Sequence, residues 1–322
     1  MPAYYSLYGD VQRQRAFVKK VLEDEIRKAK SGNDGTLDED DFNKIRNYYG
    51  FGVPSIVGEG ICTLRGRPMS DMERMASSYQ GALTGLYDDF FDKTKIAHDE
   101  IRKMMDDPEL YYAESSLENL FVHFLKTVHN NISNRKFFSE TFDKVYAAQI
   151  ATHGQLDPDF SWDDIKNITF LKGGVSLMFY RSAFDHDLIN GEEEVLYNTG
   201  SLMQLGNDIF DVYKDEVAHI GTLLTRCKHI SEVRAVFQEQ LNKTIMLVRQ
   251  SGFDKGQKRK FLRKLVLGIS RCFVCLDQLE NLQPSSRGKF KPSEYSREEM
   301  ICDMEKPANM FRSVSYYLSY KF

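Results

Sequence analysis

Apolar residues recur along this chain at intervals of three and four and rarely alternate one-for-one with polar ones. Leu202, Leu205, Ile209, Val212 and Tyr213 mark one such segment, and Leu262, Leu265, Val266 and Ile269 mark another. That period keeps apolar side chains on one face of an α-helix. Proline agrees with it: of eight prolines, none lies between Pro108 and Pro158 or between Pro158 and Pro284, so two long stretches lack the strongest helix breaker. No alternating strand with a hairpin turn is found. The pattern predicts an all-α fold with helices over roughly 10–30, 38–48, 70–105, 115–128, 135–153, 162–185, 191–224, 230–250, 255–282 and 306–320. Loops are predicted at KSGNDGTLDEDD, GFGVPSIVGEG, DDPEL, GQLDPDF and QPSSRGKFKPS, where Gly, Pro, Asp and Ser cluster. None is long enough for an interdomain linker, so the expectation is one α-helical domain over 1–322.

Composition narrows the function classes. With 322 residues, 42% of them hydrophobic and 28% charged, the chain can bury a sizeable core. A net charge of −4 carries neither a nucleic-acid footprint nor, in total, a basic membrane-binding surface. The basic cluster KGQKRKFLRK at 255–264 reads as a solvated helix face or an entrance rim. Five scattered cysteines with no secretory signal ahead of them predict reduced thiols and a cytoplasmic setting. Cys272 and Cys275 form a CxxC without the second half a zinc site needs, and ISRCFVCLDQL reads as buried helix. No apolar run approaches the roughly 20 residues that span a bilayer, so no integral membrane segment is expected.

Carboxylates carry the candidate chemistry. KSGNDGTLDEDD imitates a calcium loop, but aligning Gly35 with the obligatory glycine puts Lys30 and Gly32 where oxygen ligands belong. It predicts a capped loop, with Asp38 or Thr36 starting the next helix. LYDDFFDKTKI at 86–96 sets Asp88, Asp89 and Asp92 among aromatics. On a helix Asp88 and Asp92 share a face one turn apart, with Asp89 beside them. Such like charges repel unless a cation or a base is supplied, and Lys93 and Lys95 could also serve as plain surface partners. A second segment, LMQLGNDIFDVYKDEVAHI at 202–220, is apolar but for an oxygen-bearing stripe of Asn207, Asp211 and Asp215 spaced four and four. Buried carboxylates are rarely left uncompensated, and all-oxygen ligands with a phosphate suit Mg²⁺.

These two segments resemble the metal motifs of class I isoprenoid synthases. DDFFD at 88–92 is similar to the aspartate-rich DDxxD motif, and NDIFDVYKD at 207–215 to the NDxxSxxKE motif of terpene cyclases. Asn207, Asp208 and Lys214 match, Asp215 replaces Glu with the same charge, and Asp211 departs from the usual Ser or Thr. With Gln204 ahead, the second segment also resembles the QxxNxxRDxxED motif of squalene and phytoene synthases. Phe210 and Lys214 depart from that pattern, so the chain is intermediate between the two branches. The motifs lie 119 positions apart (207 minus 88) in the family's order.

The resemblance implies an isoprenoid synthase helical bundle with a central cavity, lined at one end by two opposed acidic helices and at the other by aromatic side chains. It implies Asp88, Asp89, Asp92, Asn207, Asp211 and Asp215 as ligands of Mg²⁺, three ions in all, against a prenyl diphosphate. Lys214, Arg181 and Arg312 are candidate diphosphate contacts. In FLKGGVSLMFYRSAF, Gly173 and Gly174 predict a kink or a close backbone approach in an apolar helix. Lys172 stands where chain-elongating enzymes carry a diphosphate-binding lysine. Arg312 followed by Tyr316 or Tyr317 resembles, without adjacency, an Arg-Tyr pair that closes over the diphosphate. Phe91, Phe179 and Phe210 are candidate carbocation-facing rings, since aromatic faces attract cations. The expected activity is cyclisation of a linear prenyl diphosphate. Head-to-head coupling, chain elongation and a non-catalytic helical scaffold stay open, and a homodimer is compatible with each.

Overall fold

The computed structural model describes residues 2–90 and 96–322, without the side chains of Pro2, Asp88 and His98. Helix makes up 77% of it, and no strand occurs among the described residues. No helix among them is long and apolar enough to cross a membrane. Contacts group the chain into two compact units, one of Met1–Phe142 with Phe179–Asp187, the other of Asp143–Met178 with Leu188–Phe322.

The first unit opens with α1 (Pro2–Phe17) and α2 (Glu23–Ser31), joined by a π-helical turn over Val18–Leu22. Asp38 caps α3 (Glu39–Asn43): its carboxylate accepts from the amides of Asp40 and Asp41, and Asp41 accepts from the amide of Asp38, as the loop's spacing predicts. The segment GFGVPSIVGEG, expected to be a loop, is helical instead. α4 (Gly50–Gly52) lies between π-helical turns over Lys44–Tyr49 and Val53–Gly58, and α5 (Glu59–Arg65) follows. Pro54 sits inside this continuous helical run, in the first turn of the π-helical segment over Val53–Gly58.

α6 (Asp71–Asp89) starts at a reciprocal cap, where Ser70 Oγ accepts from the Glu73 amide and the Glu73 carboxylate accepts from the Ser70 amide. It packs on α8 (Ser116–Asn131) through an edge-to-face contact of Tyr79 on Phe124 at 5.1 Å, and Phe90, just past its end, meets Phe121 at 4.9 Å. Where one helix was expected over 70–105, α6 and α7 (His98–Asp106) are separate. α9 (Arg135–Ala151) and α10 (Trp162–Arg181) each contribute residues to both units.

The second unit is built on α11 (Glu192–Val217), α13 (Ile230–Gln250) and α14 (Lys255–Glu280), with the short α12 (Leu223–Arg226) and α15 (Arg297–Met300) and the terminal α16 (Pro307–Ser319). Buried polar contacts register α13 on α11, since Gln240 Nε2 and Thr244 Oγ1 both donate to the carbonyl of Asn198, at 3.0 and 3.2 Å. Phe237 meets Phe273 edge-on at 5.1 Å between α13 and α14.

α10 is an unbroken α-helix through Gly173 and Gly174, so the close approach is realised and the helix break is not. A Cβ on Gly173 would lie 2.2 Å from the Gly200 carbonyl oxygen of α11, and one on Gly200 would lie 2.1 Å from that of Gly173. The two backbones touch at this crossing, and Ser201 Oγ bonds across it to the Phe170 carbonyl at 2.8 Å.

α11 stops at 217 rather than 224. His219 takes the left-handed conformation at φ 56°, while the Ile220 amide reaches the Asp215 carbonyl and the His219 amide that of Glu216. That pair of bonds is a Schellman stop, and it leaves Asp215 in the last turn.

Gly173→Ala should cost about 2–4 kcal/mol, because a buried Cβ has no room against a backbone carbonyl. Gly268→Ala in α14 meets nothing within 4 Å and should stabilise by up to about 1 kcal/mol. Urea unfolding of the two variants measures both signs.

Candidate acidic site on helix α11

Crossing at Gly173 and Gly200 decides what faces the acidic helix, because it brings Thr169 and Lys172 of α10 against the carboxylates of α11. Thr169 Oγ1 donates to Asp208 Oδ2 at 3.1 Å, and Gln204 Nε2 to Asp208 Oδ1 at 2.9 Å. Asp208 is buried, and its desolvation raises its pKa to about 6 against the opposing pull of these two donors and of Lys172. Asp215, also buried, is pushed to about 7 by desolvation and by the negative charges of Asp208 and Asp211, while Lys214 and Lys172 pull the other way. A carboxylate in the last turn also meets the negative end of the helix dipole.

The stripe runs from outside inward. Asn207 is exposed and bonds through Nδ2 to Asp211 Oδ2 at 3.3 Å, Asp211 is half-buried, and Asp215 is buried. Asp208, not among the ligands the sequence resemblance implies, belongs to the same cluster, three residues before Asp211 and seven before Asp215. That spacing alone puts it on their face. Lys172 falls among these carboxylates, and Lys214 is exposed beside them.

Other candidates lie elsewhere. Phe91 and Asp92 fall outside the described residues, as does the Asp88 side chain. Asp89, expected as a metal ligand, turns into the first unit. It is buried, its Oδ1 accepts from Lys44 Nζ at 3.0 Å, and burial with the neighbouring Asp41 carboxyl raises its pKa. Arg181, expected against a diphosphate, is buried with its guanidinium donating to the carbonyls of Phe184, His186 and Asp187, so it fastens the turn after α10. Arg312 Nη2 and the Tyr316 hydroxyl share Asp277 of α14, at 2.7 and 2.8 Å, while Tyr317 packs on Phe322. Phe179 packs among Phe138, Phe142 and Tyr180 of the first unit. Phe210 lies beneath the Arg271 guanidinium, 5.9 Å from its ring centre.

Two surface recesses are formed in the first unit. One of about 860 Å³ is lined by Glu100, Lys103, Leu110 and Tyr111, and one of about 630 Å³ by Arg15, Lys19, Arg46 and Phe51. Among the described residues, no group of three or more His, Cys, Asp or Glu side chains is placed so that it could hold a metal ion. All five cysteines are free and buried, Cys272 and Cys275 in α14 as expected of core residues. No protein-family model, curated protein or solved structure matches the chain.

What the arrangement can do follows from its electrostatics. Three carboxylates lie on one helix face, and burial raises the pKa values of two of them, Asp208 and Asp215. A folded-state pKa above the unfolded value means stability that is full at low pH and is lost as pH rises through the folded value. Asp208→Asn, which keeps the shape without the charge, should therefore be neutral near pH 4 and raise Tm above about pH 6. Thermal melts of both proteins across pH 4–8, without divalent metal, check the sign.

Proposed function

We propose that the chain is a Mg²⁺-dependent enzyme of the class I isoprenoid synthase kind, one that ionises a linear prenyl diphosphate and cyclises the resulting carbocation. The observation that carries this reading is the crowding of Asp208, Asp211 and Asp215 on one face of α11 beside Lys172. It coincides with the segment whose sequence resembles the second metal motif of that family. Asn207, Asp211 and Asp215 offer oxygen donors only, the kind that Mg²⁺ takes.

Asn207, Asp211 and Asp215 would hold Mg²⁺ from α11, with Asp88 and Asp92 supplying the aspartate-rich motif. Bound there, the metal would neutralise charge on the departing diphosphate without proton transfer. Asp208, gripped by Thr169 and Gln204, holds the stripe in register. Lys172 offers an ammonium to a phosphate oxygen on the same side. The buried cysteine thiols suit a reducing cytoplasm.

Gln204, bonded to Asp208 on this face, favours a second reading, a head-to-head coupling prenyltransferase. Incubation with Mg²⁺ and prenyl diphosphates of increasing length separates the two. A cyclase converts one substrate into cyclic or volatile hydrocarbon, whereas a coupling enzyme makes a longer chain. Asp88→Ala and Asn207→Ala should each lower Mg²⁺-dependent diphosphate release about 100-fold or more with helicity kept. Wild-type protein that releases none from any prenyl diphosphate would leave a helical scaffold as the function.

A further inference from the structure

Helix α14 carries seven cations and no anion between Lys255 and Arg271, in a protein whose net charge is −4. Lys255, Arg259, Lys260 and Arg271 are exposed. Helix α16 lies antiparallel on α14, both within the second unit. Ser313 bonds to Ser270 at 3.0 Å, Tyr316 stacks on Phe273 at 5.1 Å, and Arg312 reaches Asp277 at 2.7 Å. The inward face of α16 is thus largely polar and aromatic.

Its outward face is apolar. Phe311 is 75% exposed and Leu318 72%, with Met310 and Val314 exposed in the same stripe. Spacings of three and four place Phe311, Val314 and Leu318 on one side over two turns. The cations and the stripe meet at one end. Arg249 Nη2 donates to the Lys321 carbonyl at 3.1 Å and Lys258 Nζ to the Arg249 carbonyl at 2.9 Å, so the chain just past Leu318 lies beside the first turns of α14.

We infer that the α14–α16 face docks peripherally on an anionic lipid surface, the stripe entering the headgroup boundary and the cations lying against lipid phosphates. Charge complementarity singles out this occupant. A nucleic acid would match the cations but leave Phe311 and Leu318 in water. A second copy would cover the stripe but bring seven more cations and compensate none. The inference rests on this surface alone and is independent of the reaction at α11.

Sedimentation with vesicles tests it, using phosphatidylcholine alone and phosphatidylcholine mixed with phosphatidylglycerol. Binding is expected on the mixed vesicles in low salt, at least about tenfold stronger than on the neutral ones, with release near 1 M salt, where screening shortens to about 3 Å. Arg259→Glu with Lys260→Glu should weaken the anionic preference by about tenfold or more. Phe311→Ser with Leu318→Ser should lower binding to the mixed vesicles with circular dichroism unchanged, since all four side chains are exposed. Equal or absent binding to the two vesicle types, or binding that neither variant pair alters, overturns the inference. So does self-association of the wild type in dilute buffer that Phe311→Ser with Leu318→Ser abolishes.

Discussion

Burial of carboxylates on α11, with like charge beside them, is the constraint on which the α10–α11 pairing depends. Asp208, Asp211 and Asp215 share one helix face, and a helix has no means of spreading residues three, four and seven apart. Relief has to come from the neighbouring element, and α10 is fastened to α11 backbone to backbone at Gly173 and Gly200. That contact sets Thr169 and Lys172 opposite the carboxylates and leaves little freedom to adjust. Two hydrogen bonds and a lysine offset part of the desolvation, and the rest remains as raised pKa values.

Asp89 shows the contrasting outcome. It too is buried beside another carboxyl, Asp41, yet Lys44 reaches it directly at 3.0 Å. Asp89 has a cation at hydrogen-bond distance, whereas Asp208 is held by two neutral donors, Thr169 and Gln204, with Lys172 acting through space. Arg181 and Arg312 follow the same logic from the cationic side. Each has acceptors within the fold, backbone carbonyls for the first and Asp277 for the second.

Net charge conceals these arrangements. A total of −4 over the whole chain hides an acidic face on α11 and a basic run on α14, two helices of the same unit. The field that a small molecule or a lipid headgroup meets is set by the local excess, since screening in physiological salt confines each to about 8 Å.

Much of the secondary structure was legible in the chain itself. Helices at 230–250 and from 255 onward follow from apolar spacing, and the Asp38 cap from a local pattern of acceptors and amides. So was the α11 stripe, with Asp208 placed on it by the same spacing. Other features depended on what lies across from a residue. GFGVPSIVGEG reads as a turn but is drawn into helix, with Val53, Pro54, Ser55 and Gly58 buried. Gly173 and Gly174 read equally as a break or a contact until α11 is placed against them. Arg181 reads as a free cation until the carbonyls of the following turn close on it, and α16 reads as an ordinary amphipathic helix until its apolar side is found facing out. The difference is one of range: helical period and caps are fixed by atoms within about four residues along the chain, whereas burial, ionisation and pairing are fixed by whichever distant segment the fold brings within a few ångströms.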